Sequence, residues 1–261
     1  MIKKYLRIWF YMSLISFQIS LISRFGAVVF TLGKLFRFLF FLLFLFLLSS
    51  KIEIVGGYSV WQMIFFFATF NLIDSLTQFA LREVYRFRNY VISGRLDYIL
   101  VKPISPLFRL LLGGSDILDI PMILLSIILL VFAAGKISAI SVFGVILYTL
   151  LIVNSFMIAV AFHMFVLGVA VLTTEIDNTI MLYRDIVQMG RIPIDVYKEP
   201  LRGLLTFAIP VGIMVTFPAK AIMGILSPLF VILSLLIGIV LLFLSLKFWR
   251  FSLSKYSSVG S

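Results

Sequence analysis

Apolar runs of about 20 residues recur along this chain, the length an α-helix needs to cross a hydrocarbon core of roughly 30 Å. They lie near residues 25–49, 59–81, 117–134, 140–173 and 228–249, with a weaker one near 178–190. The expected fold is an all-α integral membrane protein with six transmembrane helices, a single transmembrane domain over residues 1–261. Hydrophobic residues make up 62% of the chain and charged residues 13%, whereas a soluble domain is nearer half apolar and a quarter charged. No polar stretch is long enough to fold alone.

The first run ends at Ser49-Ser50-Lys51, the second is entered after Gly56-Gly57, and Gly135-Lys136 closes the third. The fourth, Ile140–Thr173, exceeds what a bilayer requires and must tilt, kink or protrude. Ahead of the first span, residues 2–24 place Lys3, Lys4 and Arg7 before an apolar run from Ile8 to Ile22. No small-residue cleavage site follows, so the segment reads as an interfacial helix, not a signal peptide. Between Arg191 and Leu226, Pro193, Pro200, Pro210 and Pro218 bracket an apolar stretch too short to cross. That pattern predicts outer re-entrant helices over 192–226, in backbone that protein or water must cover. There is no internal repeat of the kind expected of an inverted-repeat carrier.

The net charge of +11 does not point to nucleic acid. Basic residues gather at span ends, where the positive-inside rule and anionic membrane lipid account for them. Six spans place both termini and the 82–109 loop on one side. That side carries thirteen Lys/Arg, six of them in the loop (Arg82, Arg86, Arg88, Arg95, Lys102 and Arg109). The other side carries six: Lys51, Lys136, Arg191, Lys198, Arg202 and Lys220. The excess assigns the termini and the loop to the cytoplasm. The short connection at Glu175 and Asp177, on that same side, has no basic residue. With no cysteine, disulfides and thiolate metal ligands are excluded.

The chain has no G-x-x-x-x-G-K-[ST] phosphate loop, no H-E-x-x-H and no paired histidine. No metal site, cofactor or catalytic residue is therefore expected, and no nucleophile–base pair suggests an enzyme. Ionisable groups inside spans are the candidates for function. Asp74 has Asn71 one turn earlier; the two either satisfy each other or a facing helix, or touch substrate. Lys34 and Arg37 share a face of the first span and either snorkel to headgroups or line the inner mouth of a pathway. His163 makes an interhelical hydrogen bond or serves as a proton relay. Arg184 and Asp185 point in different directions, so each needs its own partner. Asp116 and Asp119 open the third span, where negative charge suits a helix N-terminus. Gly33, Gly144 and Gly168 read as positions of close helix packing.

The loop centre is Ser93-Gly94-Arg95-Leu96-Asp97-Tyr98-Ile99-Leu100-Val101-Lys102-Pro103-Ile104-Ser105-Pro106-Leu107-Phe108. Gly94 can cap the helical stretch Leu81–Ile92, and Pro103 and Pro106 should stop regular structure before the third span. Leu96, Ile99 and Leu100 share a face of a short amphipathic helix, which lies on the membrane or fits a groove of a soluble partner.

S-G-x-L-D-Y-x-L-x-K-P-x-S-P-L-F resembles the G-E-L-D-x-L-L-x-R-P-x-S-P-L-F segment of ABC-2-type transporter permeases, in a six-span bacterial subgroup of about this length. Trp249-Arg250 followed by Lys255-Tyr256-Ser257-Ser258 resembles that subgroup's W-R-x-x-L-x-x-Y-S-S ending. The outer segment from Ile192-Pro193-Ile194 to Phe217-Pro218-Ala219 resembles its pattern before the last span. Arg95 departs from it, standing where the family usually has Glu. The resemblance implies the membrane half of a bacterial inner-membrane ABC exporter, working as a homodimer or with a related second permease. ATP and Mg would be bound by a separate ABC ATPase subunit, which would push on the loop as a cytoplasmic coupling helix. Arg95, Leu96, Asp97, Tyr98, Leu100 and Lys102 are the residues expected to dock it. The alternative is a stand-alone ion- or proton-coupled carrier with His163, Asp74 and Arg184 as its relay.

Overall fold

The computed structural model describes residues 2–49, 54–137, 140–173 and 177–256; Lys51, Glu175 and Ser257-Ser258 lie outside them. Helix α1 (Ile2–Ile22) is followed by α2 (Arg24–Ser49) and a small hairpin, β1 (Ile54–Val55) with β2 (Tyr58–Ser59). Gly56 and Gly57 turn the hairpin at φ of 59° and 87°, the left-handed pair that a two-residue turn between antiparallel strands requires. Ser59 then opens α3 (Val60–Leu81) with a capping box, its N–H donating to the Gln62 side chain at 2.8 Å. Met63 to Phe70 are buried without a break. A helix that is apolar all round belongs inside a bundle; α2, α7 and α8 pack against α3, and α12 packs against α8.

Past a 3₁₀ turn at Arg82–Arg86, three short helices form the loop: α4 (Phe87–Ile92), α5 (Arg95–Leu100) and α6 (Pro106–Leu112). A further turn at Ile117–Asp119 leads to α7 (Ile120–Ala134), α8 (Val142–Thr173) and α9 (Asp177–Gln188). Next come α10 (Leu201–Ala208) and α11 (Gly212–Ile222), a pair bent by 77°. The long helix α12 (Pro228–Ser254) follows.

Six helices among the described residues are long and apolar enough to cross a membrane: Ile2–Ile22, Arg24–Leu48, Val60–Ile92, Ile117–Ala134, Val142–Thr173 and Pro228–Ser254. They are not quite the six expected. The 178–190 run is helical over only 12 residues, about 18 Å at 1.5 Å per residue. It continues through a 3₁₀ turn at Met189–Arg191 and an extended Ile192. In its place α1 qualifies by length and composition.

Contacts sort the bundle into two ends. At one, the Ser105 N–H donates to the Tyr5 hydroxyl, Arg88 pairs with Asp177 at 2.6 Å, and Tyr256 reaches Asp97. At the other, Asp195 accepts from Tyr58 at 2.7 Å and from Lys220 at 2.8 Å, joining the hairpin to α11. Burial, and then the Asp195 bond, push the Tyr58 phenol pKa up. The start of α1, the loop, the start of α9 and the end of α12 therefore share one end, where the six-span topology placed the termini and the loop. At the opposite end Glu199, Arg202 and Thr206 share a recess with Lys220 and Ser227. At the bend of the α10–α11 pair Phe207 and Ala208 are exposed and Pro210 and Val211 buried; Ala208 lines a recess with Phe162, Phe165 and Leu241.

Helix α1 turns a pair of serines to the protein, while Lys3, Lys4, Arg7 and Gln18 are exposed. Ser13 and Ser16 are its buried residues, and Ser13 bonds Ser115 at 3.2 Å, while Ile2, Leu6, Phe10, Ile15 and Ile19 are exposed. Gly168 and Gly144 are close-packing sites as expected. A Cβ would stand 2.7 Å from the Phe248 ring at the first and 3.1 Å from the Ile222 carbonyl at the second. Gly33 is not: a Cβ there would meet nothing within 4 Å.

Candidate functional site

A cavity of about 300 Å³ opens among α2, α3, α7 and α9. Lys34 and Arg37 of α2, Asn71 and Asp74 of α3, and Arg184 of α9 all line it, with Arg82 and Asp119. Five of the six intramembrane polar residues singled out from sequence thus converge on one space. Lys34 does not snorkel: its ammonium forms an ion pair with Asp119, 85 residues away, and lies 4.3 Å over the Phe30 ring. Asn71 and Asp74 do not satisfy each other, because the Asn71 amide donates to the Phe67 carbonyl of its own helix at 2.8 Å. Asp116 caps its turn as expected, accepting from the Leu118 N–H at 3.1 Å, and also faces Arg82 at 3.4 Å. Asp119 does more than suit a helix start, being the carboxylate that holds Lys34.

Among the described residues, Arg37, Arg184 and Asp74 have no ion-pair partner within 4 Å. The Arg184 guanidinium lies 5.8 Å over the Tyr85 ring. Arg191 is half-buried and lies over the Phe41 and Phe70 rings at 5.9 and 5.8 Å. Asp185 is exposed.

His163 does not line the cavity. Its Nδ1–H donates to the Ala159 carbonyl at 2.8 Å, within its own helix and not between helices. Tyr85 and Tyr183 stand against the ring, and Nε2 is buried without a partner among the described residues.

At the shared end below, the loop is built on Glu83. This carboxylate is 1% exposed and pairs with Arg109 at 2.7 Å and with Arg86 at 3.2 Å. Tyr90 also donates to it, and Arg109 donates to the Tyr90 hydroxyl and the Gly113 carbonyl. Burial works against the Arg109 charge, but Glu83 and Tyr90 outweigh it and hold the pKa above its ordinary value. A Cβ at Gly113 would come within 1.7 Å of the guanidinium. Sequence reasoning missed this network, although a lone acid among the loop's first cations was a visible signal.

Gly94 ends α4 at φ 66°, as expected of a left-handed cap. Pro106 opens a helix where a stop was expected, as the first-turn residue of α6 behind the Ser105 cap. The apolar face of α5 lies on neither membrane nor partner. Leu96 and Ile99 are buried with Met164, Leu167 and Trp249, so Leu96 cannot dock an ATPase, and Leu96→Asp would break the fold. Leu100 is half-buried, and Asp97 accepts from Tyr256 at 3.0 Å. Arg95, Tyr98 and Lys102 face outward, joined by Ile92 and Val101.

A family model described as ABC-2 family transporter protein matches residues 35–260. The chain belongs to the ABC-2 transporter family. No curated protein and no solved structure matches it. This ABC-2 chain is thus a multi-pass membrane protein, the permease component of an ABC transporter, in a family that works with an ABC ATPase subunit. The match begins inside α2, so it takes in the loop and the ABC-2 cavity from Arg37 onward, while α1 and Lys34 precede it.

Proposed function

We propose that this ABC-2 permease is the membrane half of an exporter in a bacterial inner membrane, with both termini cytoplasmic. An ABC ATPase docks on the outward row of α5. The observation that carries this reading is the two-sidedness of α5. Arg95, Tyr98 and Val101 present a free row, while Leu96 and Ile99 are set into the ends of α8 and α12. Force applied to the row would reach α8 and α12 through packed side chains and α3 through the Glu83–Arg109 pair. Close-packed interiors transmit such displacements and do not absorb them.

The remaining parts follow the same reading. Helix α1 lies along the membrane surface, since its partners Ser105, Phe108 and Ser115 all belong to the loop end. The bent α10–α11 pair is re-entrant from the outer side. A second permease, identical or related, covers the α9 flank, where exposed Asp185 could not face hydrocarbon. Substrate, an amphipathic drug, lipid or peptide, enters from the cytoplasm or inner leaflet.

The test is co-purification of the ATPase from detergent. The double variant R95E/Y98A should lose the ATPase while keeping the elution volume of the native chain. Unchanged co-purification would overturn the docking surface.

A further inference from the structure

We infer that the intramembrane cavity is an oxyanion site. It would hold the phosphate or carboxylate of an anionic substrate, most simply the headgroup of an amphiphile whose tail stays in lipid along α2. This rests on the permease reading and names the substrate's charge.

The charges around the cavity do not balance. Lys34 is matched by Asp119 and Arg82 by Asp116. Arg37 and Arg184 remain in the lining against the one carboxylate of Asp74. Two guanidinium groups beside one carboxylate, with Arg37 exposed at the cavity's edge and Arg184 half-buried, leave a positive field that an anion would relieve. Two of the three neutral polar residues of the lining are already engaged, Ser75 being the third. Asn71 bonds the Phe67 carbonyl, and Gln78 bonds Tyr85 and Arg82. The unspent donors are the Ser75 hydroxyl and the guanidinium forks of Arg37 and Arg184, and fork geometry matches carboxylate and phosphate oxygens in paired bonds. An aromatic ring braces one of them, Tyr85 beneath Arg184. Gly33 leaves open space in the cavity wall on α2, and Phe36 and Phe40 of the same helix are exposed. A headgroup could enter there without withdrawing its tail from the hydrocarbon.

The experiment is native mass spectrometry of the purified full chain after equilibration with phosphatidylglycerol or phosphatidylcholine of the same acyl chains. The native protein should retain phosphatidylglycerol preferentially. R37Q/R184Q should lower that retention about tenfold or more, while K247Q, an exposed cation far along α12, should leave it unchanged. D74N should raise retention, a gain that misfolding cannot produce. Added inorganic phosphate distinguishes the sources. Displacement of the lipid identifies a site for free oxyanion, and persistence identifies an amphiphile site; either supports the oxyanion assignment. Equal retention in R37Q/R184Q, or a loss in D74N, overturns it. Since no ATPase is present, failure here leaves the docking proposal standing, and failure of co-purification leaves this one standing.

Discussion

The Tyr256 phenol donates a 3.0 Å hydrogen bond to the Asp97 carboxylate, across 159 residues of sequence. It joins two of the three motif segments on which the family resemblance rests, one in the loop and one near the end of α12. The same contact fastens the end of α12 to α5. Burial, and then the bond itself, raise the Tyr256 pKa, so the phenol stays protonated and donating at neutral pH.

Tyr256→Phe should therefore loosen α5 without unfolding the bundle. A neutral donor to a charged acceptor contributes about 1.5–3 kcal/mol at most, less where water competes. Hydrogen exchange should accelerate at the Arg95–Leu100 amides, with the α3 amides unchanged. Equal exchange in both proteins would show that the bond does not hold the helix.

Two neighbours on α5 should behave in opposite ways. Leu96 is fully buried and Tyr98 is 71% exposed. Leu96→Ala empties a packed site, for which a loss of about 2–5 kcal/mol is usual, and the folded yield in size-exclusion chromatography should fall. Tyr98→Ala should leave the yield intact and reduce ATPase association instead. A matching profile for the two variants would contradict the inward and outward assignment.

Much of the fold was legible because hydrocarbon tolerates few solutions. The runs at 59–81 and 117–134 became helices within a residue or so of their expected limits, and Gly94 and Gly56-Gly57 marked turns through φ alone. The 178–190 run misled because apolar content does not fix where a helix stops. Lys34 and Asp119 were each noticed but not paired, because a contact between residues 85 apart depends on how α2 and α7 are set side by side. Leu96 was misassigned although its spacing with Ile99 was seen. A short apolar face is the same in sequence whether it meets a partner or the chain's own core.

The Glu83 network should show strong coupling. Removing one member of a buried ion pair strands the other, which typically costs about 3–5 kcal/mol. Glu83→Gln and Arg109→Gln should each lower the thermal midpoint sharply, and the double variant should lose far less than the sum, since neither charge is then stranded. Additive losses would mean that Glu83 and Arg109 act independently.

The Lys34–Asp119 pair ties α2 to α7 across the mouth of the cavity, with Asp119 only 2% exposed and its Oδ2 lacking any partner among the described residues. Lys34→Met would leave that carboxylate buried and alone, and Asp119→Asn would leave the ammonium facing Arg37 and Arg82 with one counter-charge fewer. Both single variants should reduce folded yield in the membrane by the stranded-charge mechanism. The exchange Lys34→Asp with Asp119→Lys restores one charge of each sign at the same two positions. It should recover yield beyond either single variant, because the attraction depends on the product of the charges and not on their order. Recovery measured by fluorescence-detected chromatography would establish the pair as a structural tie. If the exchange folds no better than Lys34→Met, the contact depends on the lysine stem resting on Phe30, and Lys34→Arg would then be the variant that retains the fold.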